Sequence, residues 1–170
     1  MKALFLVRHA KSSWDEPTLG DMDRPLNDRG KRDAPNMARR LAKRRVQVDL
    51  ILCSPARRAL ATAHIIADRL RYRLSALAVE DRLYPGDVQQ LLALVHGLPD
   101  KLDRAMLVGH NPAMAELVQR LSGRITPMPT CAIAELRFDA KSWTRVGPAT
   151  LASLGLERPR HARRERRVRD

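Results

Sequence analysis

The sequence predicts a three-layer α/β/α fold built on a mostly parallel central sheet. Two observations carry this reading. Short apolar runs alternate with stretches of helical periodicity through most of the 170 residues. The chain is 44% hydrophobic and shows no internal repeat and no interdomain linker, which suits one domain around one sizeable core.

Residues 3–9 (ALFLVRH) read as a fully buried strand. Residues 15–27 (DEPTLGDMDRPLN) are polar and rich in Pro and Gly, so they read as a loop, and the acids of DMD (21–23) read as solvated rather than as a metal pair. A helix over 28–45 places Ala34, Met37, Ala38, Leu41 and Ala42 on one face, with Pro35 near its first turns where it can shift the start. DLILC (49–53) reads as a second buried strand. Ser54-Pro55 then gives a capping residue followed by a first-turn proline, opening a helix that runs to Leu70. A short strand over 76–79, a helix over 87–97 and a strand over 104–110 (RAMLVGH) follow. Asn111-Pro112 repeats the cap-then-proline signal before a helix ending at Leu121, and 131–138 with 142–153 read as a closing hairpin.

The formal net charge is +13. The last fourteen residues, ERPRHARRERRVRD, hold seven Arg against three acids, so +4 lies there and +9 in the preceding 156. This surplus favours anionic partners without bearing on the fold. The apolar-poor end divides the chain into a domain over 1–156 and a basic, disordered tail over 157–170, read as solvated rather than as a nucleic-acid-binding arm. Cys53 and Cys131 form no CxxC pair and no metal-ligand spacing, so they read as free buried thiols of a reducing compartment. The first apolar run is too short for a signal-peptide core, and no later run approaches a membrane span. The expectation is a cytoplasmic monomer without a membrane partner.

Three predicted strand ends carry chemistry. The first ends in Arg8-His9, the second enters a helix with Arg57 and Arg58 in its first turn, and the fourth ends in Gly109-His110. In a parallel sheet all three ends share one edge, where open α/β folds place their sites. Helix N-termini favour an anion there, and Arg forks match phosphate oxygens. Helical phase puts Arg58 beside Thr62, Ile65 and Arg69 at the margin of the apolar face, and Arg57 beside Ala61, His64 and Asp68 on a solvated one, which favours Arg58. His64 and His96 fall on helices away from the strand ends and read as ordinary surface residues. Trp14 reads as packing the loop after the first strand.

RHA after an apolar strand, SPARRALATA and VGHNP resemble the signature segments of the histidine phosphatase superfamily, the phosphoglycerate-mutase-like proteins. The short chain and the run RHAKSSWDEPTLGDMDRPLNDRGKRDA resemble its SixA-type phosphohistidine phosphatases, over roughly residues 1–155. The resemblance implies that His9 is the nucleophile, that Arg8 and Arg58 bind phosphoryl oxygens, and that His110 donates to the same group. Ser12 is a further candidate phosphate ligand. No metal and no cofactor are implied. Ala10 replaces the usual Gly after the nucleophile, and Asp15 stands where relatives often carry Asn. Many relatives have a Glu acid after the third strand; Glu80, Asp81 and Asp15 are candidates, none convincingly placed. An alkoxide leaving group needs such an acid and a phosphorylated imidazole does not, so the substrate expected is phosphohistidine on a protein. The alternatives are a small-molecule phosphomonoesterase on the same scaffold, or a non-catalytic phosphate- or nucleic-acid-binding module.

Overall fold

The computed structural model describes residues 1–161. Six strands form one sheet: β1 (Lys2–Arg8), β2 (Leu50–Cys53), β3 (Ala78–Val79), β4 (Arg104–Gly109), β5 (Ile133–Phe138) and β6 (Leu151–Glu157). Their order is β3-β2-β4-β1-β5-β6. The first four run parallel, and β5 and β6 form the antiparallel end. Four helices cover the two faces: α1 (Asp28–Lys43), α2 (Arg57–Arg69), α3 (Val88–His96) and α4 (Ala113–Ser122).

The unbroken apolar run of β1 follows from its central position. Leu4 and Leu6 join Leu107, Leu117 and Val118 on the α3–α4 side. Phe5 and Val7 join Met37, Leu41, Ile51 and Ile66 on the α1–α2 side. A parallel strand covered on both faces has no polar side to alternate.

Element ends are where sequence and structure part. α1 starts on Asn27, whose side chain accepts from the Gly30 amide, and continues through Pro35 to Lys43. Gly30 is required by close packing, since a Cβ there would lie 2.1 Å from the Lys11 carbonyl oxygen. That contact seats the chain after β1 on the first turn of α1. Neither predicted cap-then-proline opens its helix as expected. α2 begins at Arg57 after an Ala56 cap, and α4 begins at Ala113 after Pro112.

The expected strand over 142–153 is mostly not strand. Trp143 is fully buried, its indole donates to the Leu102 carbonyl at 2.7 Å, and 143–145 form a 3₁₀ turn. Pro148 starts another such turn, so β6 begins only at Leu151. β6 also extends past the expected domain boundary. Glu157 pairs with Ile133 in the sheet and forms an ion pair with Arg44, and the Arg158 carbonyl accepts from Arg40 at 2.8 Å. The rest of the expected tail, from residue 162, lies outside the described residues. Among the described residues no helix is long and apolar enough to cross a membrane.

Candidate active site

β1, β4 and β2 are adjacent and parallel, so their carboxyl ends meet at one edge. The register sets Arg8 beside Gly109 and Cys53 beside Val108. Backbone bonds continue the ladder past the strands: the His9 amide donates to the Gly109 carbonyl, and the Ser54 amide to that of Val108, each at 3.0 Å. His9, His110 and Arg58 are thereby gathered at this edge, with only 8%, 6% and 5% of their surfaces exposed. The two imidazole centroids are 5.0 Å apart.

Hydrogen bonds assign the tautomers. His9 Nδ1 lies 2.7 Å from the Ala10 carbonyl oxygen, which can only accept, so Nδ1 carries the proton and Nε2 keeps its lone pair. Ala10 is held in turn, its amide donating to Thr62 Oγ1 at 3.0 Å while that hydroxyl donates to the Arg58 carbonyl. At His110, Arg58 Nη2 can only donate to Nδ1 at 3.4 Å, so Nε2–H donates to Ser54 Oγ at 2.7 Å. The same Ser54 oxygen accepts from the Ala56 amide at 3.2 Å. Ser54, read from sequence as a helix cap, is therefore engaged in fixing the His110 ring.

The guanidiniums differ in how they are held. Arg8 Nη1 donates to the Met128 carbonyl at 3.0 Å, and its Nε is buried without a partner. An orphaned buried donor beside two histidines is a place prepared for an anion. Arg58 faces inward and Arg57 is exposed. Arg58 Nη1 donates to the Asp21 carbonyl at 2.6 Å and its Nη2 to Asp21 Oδ2 at 3.0 Å.

Asp21 and Asp23 of DMD are exposed, as expected of solvated acids, but Asp21 is also tied into the site. Its carboxylate also accepts from Arg24 Nη1 at 3.1 Å and from the Tyr84 hydroxyl at 2.8 Å. Burial acts to raise this carboxyl, but hydrogen bonds from Tyr84, Arg58 and Arg24 outweigh it and hold it down to about 2. Arg24, buried, and Tyr84, whose ring meets that of His110 edge-on at 5.3 Å, are the other site residues missed from sequence. Ser12 faces Arg24, whose Nη2 donates to its hydroxyl at 2.7 Å. Trp14 is 73% exposed, with its ring stacked on the Arg24 guanidinium.

Glu80 is paired with Arg82, Asp81 and Asp15 are exposed, His64 is exposed, and His96 contacts the Val146 carbonyl. Cys53 and Cys131 are free and buried. Among the described residues no three His, Cys, Asp or Glu side chains gather as metal ligands.

Burial, followed by the charges of Arg58, Arg8 and Arg24, lowers His9 to about 4. Burial, His9 and Arg58 lower His110 to about 3. Both rings are neutral at pH 7 in the ligand-free protein, so the pocket offers two imidazoles and three guanidiniums. An NMR titration is expected to show both histidines still neutral at pH 5.5, where an unperturbed His is mostly protonated. Midpoints near 6.5 would contradict the burial argument.

Two neutral histidines framed by arginines lie at the carboxyl edge of a parallel sheet, a constellation whose charge and donors suit a phosphoryl group. The family model of the histidine phosphatase superfamily (branch 1) matches residues 4–85. Phosphohistidine phosphatase SixA of Escherichia coli (strain K12) is 30% identical over 139 residues, covering 80% of this chain and 85% of that protein. A structure of SixA with tungstate superimposes with a TM-score of 0.76 at 28% identity, covering 89% of this chain and 95% of that one. A SixA assigned in Agrobacterium tumefaciens gives a TM-score of 0.72 at 31% identity, over 79% of this chain and 91% of that one. The chain belongs to the histidine phosphatase superfamily, with a SixA-like, phosphoglycerate-mutase-like fold. It is a phosphatase.

Proposed function

We propose that this phosphatase works through a phosphohistidine intermediate on His9 and that its substrate is phosphohistidine on a protein. The observation that carries the mechanism is the His9 tautomer: Nδ1–H is committed to the Ala10 carbonyl, and Nε2 presents its lone pair among guanidiniums. Phosphoryl transfer needs positioning and charge compensation more than covalent help. Arg8 and Arg58 compensate the equatorial oxygens. A bound dianion raises the affinity of His110 Nδ1 for a proton and draws Arg58 Nη2 away from it, which makes His110 a donor. His9 Nε2 attacks phosphorus as the bond to the substrate nitrogen breaks, and the departing imidazole leaves as a neutral ring because its nitrogen was protonated beforehand. Water then attacks the phosphorus of phospho-His9, releasing inorganic phosphate and returning the lone pair to Nε2.

The substrate class follows from the acids. Among the described residues no carboxyl group is placed as a ready proton donor: Glu80 is lowered by its Arg82 partner and Asp21 is held at about 2. A pocket without a poised acid suits a leaving group that needs none, and the likeness to SixA supports the same choice. The test is a side-by-side rate comparison on a phosphohistidine protein and on p-nitrophenyl phosphate. A clear preference for the first is expected; a preference for the monoester would favour a small-molecule phosphomonoesterase.

Every phosphoryl contact in this mechanism comes from arginine and histidine side chains. Activity is therefore expected to survive prolonged treatment with EDTA. Loss in EDTA with recovery on adding a divalent cation would contradict it.

A further inference from the structure

Asp21 places a half-exposed carboxylate at the edge of the pocket read above as a phosphoryl site. Its backbone carbonyl and Oδ2 both accept from Arg58, its Oδ1 accepts from Arg24, and Tyr84 donates to Oδ2. Arg58 Nη2 joins Asp21 Oδ2 at 3.0 Å to His110 Nδ1 at 3.4 Å, so the carboxylate stands one guanidinium away from the paired histidines. The charged groups acting on those histidines are Arg8, Arg24, Arg58 and Asp21. With both imidazoles neutral, three positive charges and one negative leave +2, which matches a phosphoryl dianion.

We propose that Asp21 is a positioning residue that orients Arg58 and Arg24 and, as a built-in counter-ion, limits how tightly the pocket holds phosphate, so that product phosphate leaves. This rests on the reading of the pocket as a phosphoryl site. The physical basis is competition. Arg58 is shared between two anions once phosphate enters, and the fixed carboxylate repels the arriving dianion. The loop 15–27 is what delivers this charge, since Asp21 is anchored through Arg24 to Ser12 on one side and through Tyr84 to the chain after β3 on the other. The low protonation range of Asp21 agrees with a standing charge rather than a proton donor.

The test separates charge from scaffolding. Asp21→Asn keeps an acceptor for Arg58, Arg24 or Tyr84 and keeps the backbone carbonyl contact, but leaves the pocket near +3. Calorimetry with inorganic phosphate at fixed pH and ionic strength is expected to show about tenfold tighter binding than wild type, with Asp21→Glu near the wild-type value. Steady-state hydrolysis is expected to show a lower inhibition constant for phosphate and a lower kcat together with a lower KM. A merely structural residue would give the opposite sign, weaker phosphate binding with a raised KM. Asp21→Ser supplies the same comparison should the Asn variant fail to fold, as judged by its melting temperature. Unchanged or weaker phosphate binding in a folded, charge-removing variant overturns the proposal. Failure of the wild-type protein to bind phosphate would instead overturn the phosphoryl-site reading on which it rests.

Discussion

Replacing His9 with alanine is expected to lower phosphatase activity by about 10³-fold or more, because the proposed nucleophile has no substitute among the described residues of the pocket. Among the described residues His110 is the imidazole that neighbours His9, and its ring is turned so that Nε2–H is committed to Ser54 Oγ. Its Nδ1 is approached by Arg58, the group proposed to bind the substrate's oxygens. With Nε2–H held by Ser54 and the Nδ1 lone pair engaged by Arg58, His110 is not expected to act as a second nucleophile. In the proposed mechanism it becomes a donor only once a bound dianion has drawn a proton to Nδ1. Inorganic phosphate binding should persist in the His9→Ala protein, since Arg8, Arg58 and His110 remain. The measurement is steady-state hydrolysis of a phosphohistidine protein alongside phosphate calorimetry. Near-normal turnover in the variant would mean that water attacks the substrate directly.

The second large effect is expected at Arg58. Arg58→Ala should cost about 10²–10³-fold in kcat/KM, the range seen when a donor to a charged transition state is removed. Arg57→Ala, one residue away, should stay within about a factor of three, as for other exposed side chains with no special contact. The contrast is set by helix geometry. Arg58 shares the buried face of α2 with Thr62 and Ala63, while Arg57 points to solvent. Equal losses in the two variants would indicate that positive charge at the mouth matters and specific placement does not.

What the sequence made legible was the part governed by local pattern. The apolar runs of β1, β2 and β4 mark strands buried on both faces, and the alternation with helices fixes their parallel direction. Those two facts suffice to bring Arg8, His9, Arg58 and His110 to one edge. The helical phase of α2 is likewise local, and it separates Arg58 from Arg57. The rest depends on contacts between distant segments. Asp21 reads as a solvated acid because Arg58 lies 37 residues away and Tyr84 lies 63 away, and nothing near DMD announces either partner. Arg24 was hidden in the same loop, although three of its partners, Ser12, Trp14 and Asp21, are residues that the sequence reading names. Ser54 carries a sound capping signal, yet its hydroxyl is engaged by His110 and the helix starts three residues later. At the closing hairpin, hydrophobic content suggested strand, but Trp143 fills the core as a plug and the chain turns around it before β6 begins.

The central claim is that the phosphoryl group passes through His9. The most direct measurement is to mix the enzyme with a phosphohistidine protein labelled in its phosphoryl group, quench within a turnover, and map the label by mass spectrometry. Alkali-quenched enzyme should carry the label on His9, acid-quenched enzyme should have lost it because phosphohistidine is acid-labile, and the His9→Ala protein should carry none. A label that survives acid, or one that maps to another residue while turnover proceeds, would contradict the account.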